Sequence, residues 1–203
     1  MKIPTAKYSE WRQNIQTGDI LACMGKSKMS KGIQWTEDKQ DKEPLMFHDK
    51  NGNIKGFFTH VGVFVKVLDQ IFIVEANGKT VDFTRFSRTY KDYDGCMFVI
   101  RPQYPMIKYY SEISSKIHCG NGPGFANRCL EVEGAKYDWR SIWKQLINCF
   151  DKEVIHKEDG KLFCSELLNM ASHYYWEDKD KWCTPHDIVL KERNNFLVRI
   201  TDV

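Results

Sequence analysis

The stretch "FFTHVGVFVKVLDQIFIVEANGKTV" (57–81) constrains the fold more than any other part of the chain. Two runs rich in Val, Ile and Phe are joined by a short polar break, the pattern of paired strands. It predicts strands at about 58–67 and 70–76 with a tight connection around Leu68–Asp69–Gln70. A two-residue loop, whether Leu68–Asp69 or Asp69–Gln70, makes paired positions sum to 137 or 139. Either register puts Glu75 on the sheet face that carries His60 and Gly62, because side chains alternate with a period of two. A three-residue loop reverses that parity. "GCMFVIRP" (95–102) is a third strand candidate, ended by Pro102, and a strand beginning near Asp19 in "TGDILACMG" is a fourth.

Around these strands the chain alternates between helical spacing and turn signals. Residues 8–16 read as a short helix, 106–119 as a helix with Ile107, Tyr110, Ile113 and Ile117 on one side, and 123–133 as another. "SIWKQLINCF" (141–150) predicts a further helix, 164–176 another, and "FLVRITDV" a last strand. The polar run 37–56, with Asn51–Gly52, reads as a long excursion or small hairpin. The mixture of strands and helices implies an α+β fold. With 203 residues, no internal repeat and no low-complexity linker, one domain spanning 1–203 is expected.

Composition narrows the class of function. Thirty basic and 27 acidic residues, interleaved, leave a formal charge of only +3, too small to argue for nucleic acid as a partner. No apolar run reaches the ~18 residues of a membrane span, and the N-terminus lacks a secretory pattern. The seven cysteines form no CxxC pair, so reduced and mostly buried thiols in a cytoplasmic setting are expected. His48, His118, His156 and His173 have no partner spacing that suggests a metal. No metal and no organic cofactor is expected.

Cys164 stands out among these thiols. Asp159–Gly160 marks a turn, and Leu167, Leu168, Ala171, Tyr174 and Tyr175 continue a helical stripe that Cys164 begins. The free N–H groups and dipole of a helix's first turn favour a thiolate there and can hold an oxyanion. The same stripe would equally bury Cys164 as a small apolar residue. His60, inside an apolar strand, is either a satisfied core group or a base. Glu75, if it shares a face with His60, can fix its tautomer and stabilise its imidazolium. Thiol, base and orienting acid are the three parts of a cysteine hydrolase.

The ordered set "GDIL" (18–21), "THVGV" (59–63), "VEA" (74–76), "AKYDW" (135–139), "FCSEL" (163–167) and "TPHDI" (184–188) resembles the YiiX/YaeF family over about 17–190. That family comprises circularly permuted papain-like hydrolases related to NlpC-type peptidases and lecithin retinol acyltransferases. The resemblance implies an antiparallel sheet or half-barrel packed against the helix that carries the nucleophile. It matches Cys164 to the nucleophile, His60 to the base and Glu75 to the orienting residue, with Tyr137 as an oxyanion or substrate contact. Asp19 also matches, and a turn role suits it at least as well. "FCSEL" departs from the "NCEHF" of the acyltransferases, which argues against lipid acyl transfer. The implied activity is a thiol-dependent amidase or peptidase acting on a small peptide-like or acyl-amino-acid amide. The alternatives are a non-catalytic ligand-binding module on the same fold, a metal site built from the same three residues, or a lipid acyl hydrolase or transferase.

Overall fold

The computed structural model describes residues 2–49, 52–103, 109–111, 114–118, 122–138, 161–172, 175–177 and 183–203. The expected helix at 141–150 lies outside them. In chain order the elements are β1 (Thr5–Lys7), α1 (Tyr8–Trp11), β2 (Ile20–Gly25), α2 (Lys28–Lys39), β3 (Leu45–Asp49), β4 (Gly52–Gly56), β5 (His60–Val67), β6 (Gln70–Ala76), β7 (Val81–Arg85) and α3 (Phe86–Thr89). There follow β8 (Gly95–Ile100), β9 (Tyr109–Ser111), β10 (Ser114–His118), α4 (Gly122–Leu130), α5 (Cys164–Ala171), α6 (Pro185–Lys191) and β11 (Phe196–Thr201).

Seven strands form one sheet in the order β1-β11-β8-β2-β5-β6-β7. Every pairing is antiparallel except β1 with β11. The architecture is therefore α+β with a mostly antiparallel sheet. Its central strands are buried on both faces, which is why their sequences are nearly continuous apolar runs rather than alternating ones. One face carries Ile20, Ala22, Val61, Val63, Val74, Phe98 and Ile100, covered by α4, α5 and α6 through Phe125, Leu167, Leu168 and Ile188. The other carries Leu21, Cys23, Phe64, Ile71, Ile73 and Val99, covered by Tyr8, Ile15, Phe86 and Tyr90.

Residues 109–111 and 114–118 are antiparallel strands, not the expected helix over 106–119. Tyr110 and Ile117 are β-formers as much as helix-formers, and a short apolar spacing does not separate the two states. The expected helix 164–176 ends at Ala171. There the Asn169 side chain accepts the Trp176 and Glu177 backbone N–H groups (3.2 and 3.1 Å), and Ser172 Oγ accepts that of Tyr175 (3.2 Å). These side chains turn the backbone out of the helix. The polar excursion 37–56 resolves into the end of α2 and the β3–β4 hairpin. The hairpin is anchored through Phe47, which is buried against Phe58, Phe98 and Phe196.

Candidate active site

β5 and β6 pair so that Val63 faces Val74 and Val67 faces Gln70, with the two-residue loop Leu68–Asp69 between the strands. Paired positions sum to 137, so Glu75 stands across from Gly62, one diagonal from His60. A side chain at Gly62 would place its Cβ 3.0 Å from Ile73 Cδ1 and 3.2 Å from Glu75 Cβ. The glycine thus makes room for its own neighbour strand. The result is a direct contact: His60 Nε2 lies 2.6 Å from Glu75 Oε2. Glu75 is buried, whereas the His60 side chain is 23% exposed.

His60 is the first residue of β5, and its approach is fixed by neighbouring hydrogen bonds. Thr59 N donates to Cys23 O (2.9 Å), and Gly25 N donates to Thr59 Oγ1 (3.1 Å). At this end of the strand the imidazole meets α5. Cys164, the first residue of α5, acts on His60 both through charge and as a hydrogen-bond partner. With Nε2 engaged by Glu75, Nδ1 is the ring nitrogen left for the thiol. Burial, the largest influence, works against the imidazolium. Attraction to Cys164 and Glu75, and hydrogen bonds to both, outweigh it and hold the His60 pKa up at about 10 from 6.5. Cys164 itself is only 4% exposed and belongs to the apolar cluster under α5.

The first turn of α5 is defined by Leu167 N donating to Phe163 O (2.9 Å) and Glu166 Oε2 accepting from Phe163 N (3.4 Å). Ser165 Oγ donates to Cys183 O (2.7 Å). Tyr137 is brought to this turn by backbone stitching. Tyr137 N donates to Lys79 O (2.9 Å), Leu162 N to Lys136 O (3.0 Å), and Asp138 N to Leu162 O (3.2 Å). Burial first, then the charge on Cys164, raises the Tyr137 phenol, so it stays a donor at neutral pH. The structure therefore gathers Cys164, His60, Glu75 and Tyr137 around one strand end.

Other residues singled out in the sequence lie apart. Asp19 is buried in a turn, where it accepts Arg101 Nε (2.8 Å) and Gln16 N (2.8 Å). His186 is fully buried in α6, with Nε2 donating to Glu43 O (2.9 Å) and Nδ1 accepting Phe58 N (3.4 Å). Among the described residues, no group of three or more His, Cys, Asp or Glu side chains is arranged to hold a metal ion. Three neighbours of the site escape a sequence reading: Tyr90, Tyr93 and Cys23. Cys23 pairs with His60 across β2 and β5, and both tyrosine hydroxyls act on its thiol. Nothing in the spacing of "FTRFSRTYKDY" (83–93) announces these contacts.

No family model matches the chain, and no curated protein matches it. Among solved structures it is similar to metalloprotein yiiX from Escherichia coli O157:H7, at 21% identity and a TM-score of 0.43. The match covers 77% of this chain and 63% of that one, so less than two thirds of the neighbour's length is spanned. At that TM-score the likeness carries no argument. The fold and the candidate site stand on the strand order, register and contacts described above.

Proposed function

We propose that the chain is a thiol-dependent amide hydrolase on a circularly permuted papain-like fold, with its histidine strand ahead of its cysteine helix. The observation that carries this reading is the 2.6 Å His60–Glu75 contact, with the charge of Cys164, first residue of α5, acting on the same imidazole. Cys164 Sγ attacks the carbonyl carbon of a peptide-like or acyl-amino-acid amide. The resulting oxyanion is met by the Cys164 backbone N–H and the Tyr137 hydroxyl. His60, as imidazolium, donates its Nδ1 proton to the departing amine, leaving a thioester. Water, deprotonated by His60, then attacks the thioester carbon and releases acid and thiol. Glu75 holds the ring and balances its positive charge.

The test is iodoacetamide labelling at pH 7, resolved residue by residue. Burial raises the thiols of Cys23, Cys96, Cys129 and Cys183, and these should react slowly. Cys164 should label at least about tenfold faster than any of them, and Cys164→Ala should abolish amide turnover while leaving the fold intact. A Cys164 as sluggish as the rest removes the reading. The 4% exposure of Cys164 favours a second one, a ligand-binding module in which the thiol only packs. Because a thiol, an imidazole and a carboxylate are also a metal-ligand set, turnover is also measured in chelator. Loss there would replace thiol chemistry with a metal centre.

A further inference from the structure

We infer that Tyr90 is a positioning residue for the His60–Glu75 pair, its hydroxyl fixing the carboxylate oxygen on which the imidazole depends. The inference rests on the hydrolase reading for its catalytic meaning. The geometry stands without it. Tyr90 Oη donates to Glu75 Oε2, the same oxygen that contacts His60 Nε2. Glu75 is only 2% exposed, and Tyr90 belongs to the apolar cluster of Phe64, Ile71, Ile73 and Phe86, so water cannot replace a lost donor.

Tyr90 is built to hold still. Its backbone N–H closes α3 onto Phe86 O (2.9 Å), and its ring stacks on Phe86 at 5.0 Å and 26°. Tyr93 follows, its ring 5.4 Å away and its N–H bonded to Tyr90 O (3.2 Å). Burial first, then the charges of Glu75 and Cys23, raises the Tyr90 phenol well above 10, so it donates at every working pH. Two donors on one oxygen set the carboxylate's rotation and share its charge. A carboxylate bonded to His60 alone would concentrate that charge on the imidazolium.

Other titratable groups facing the pair are Cys23 on β2, Cys164 on α5 and Tyr93 after α3. Asp82 on β7 lies across from Glu75 and accepts Asn77 Nδ2 (2.5 Å) and Thr80 Oγ1 (2.6 Å). Tyr90→Phe keeps all of these side chains and removes only the hydroxyl, including its influence on Cys23, which the Glu75→Gln background leaves in place and so separates.

The experiment follows His60 by nitrogen NMR against pH in the full chain, in four forms: parent, Tyr90→Phe, Glu75→Gln and the double variant. Tyr90→Phe should move the His60 midpoint up by about half a pH unit or more, and the move should vanish in the Glu75→Gln background. A midpoint that stays or falls, or an equal shift without Glu75, overturns the inference. Should Tyr90→Phe not fold, 3-fluorotyrosine incorporation supplies a stronger donor, and the midpoint should fall; an unmoved midpoint counts against Tyr90. Slow labelling of Cys164 would remove the hydrolase reading while leaving this titration to be decided by its own result.

Discussion

His60 is the residue on which charge, geometry and solvent meet. Its side chain is 23% exposed and bonded at Nε2 to a buried carboxylate, and the charge of Cys164 acts on the same ring. Its pKa in the folded chain, about 10, lies above the 6.5 of a free imidazole. Stability contributed by the pair is therefore full below pH 6.5 and is lost as pH rises through about 10. The imidazolium form of His60 should disappear over the same alkaline range. Glu75→Gln removes one of the two charges that raise His60, so the alkaline limb of kcat/KM should move down from near 10. The kcat should fall about 100-fold with a smaller change in KM, read from pH–rate profiles on any amide the chain turns over. An unmoved limb with parent-like turnover takes Glu75 out of the mechanism. Cys164, His60 and Glu75 were legible as candidates because each breaks a pattern: a thiol leading an apolar stripe, and two polar groups inside apolar strands. Tyr90 was not legible. A tyrosine in a short helical turn looks the same in sequence whether its hydroxyl meets solvent or a carboxylate.

At the scale of elements, the β5–β6 hairpin delivers the acid to the base, and its register was legible because few loop lengths keep both apolar runs buried. The turn type was less so: Leu68 takes φ 53°, a conformation that a sequence reading expects of Gly or Asn. Gly62 matters more for the site. Its absent Cβ leaves the space that Ile73 and Glu75 occupy, at 3.0 and 3.2 Å. Glu75 Cβ is held by the strand backbone, whereas Ile73 Cδ1 is a side-chain end that must move aside. Gly62→Ala should cost about 1–3 kcal/mol in urea unfolding and loosen the Glu75 contact, lowering the His60 midpoint. A variant with parent stability and an unchanged midpoint would mean the strands shift to accept a methyl group at no cost. The helix boundaries were less legible than the strands. α5 stops where Asn169 and Ser172 capture backbone N–H groups, an event decided by side-chain geometry beyond the apolar periodicity.

Across the whole molecule, the helix after β2 and the helix before β11 are tied by charges far apart in sequence. Lys42 Nζ lies 2.8 Å from Glu37 Oε2, at the end of α2, and 2.8 Å from Asp187 Oδ1 in α6. It also donates to Thr184 Oγ1 (3.1 Å), the residue that caps α6. Glu37 is fully buried, and its contact with Lys42 is an ion pair without hydrogen-bond angles. Burial raises the Glu37 carboxyl and Lys42 opposes that rise, so the carboxylate is tolerated only while its partner is there. Lys42→Met should therefore destabilise the chain by about 3–5 kcal/mol, chiefly by leaving Glu37 charged or forcing it to take up a proton. Glu37→Gln combined with Lys42→Met should recover much of the loss, because an amide in that site carries no charge to desolvate. Urea midpoints of the single and double variants measure both effects. A Lys42→Met loss below about 1 kcal/mol would place this cluster with ordinary surface pairs.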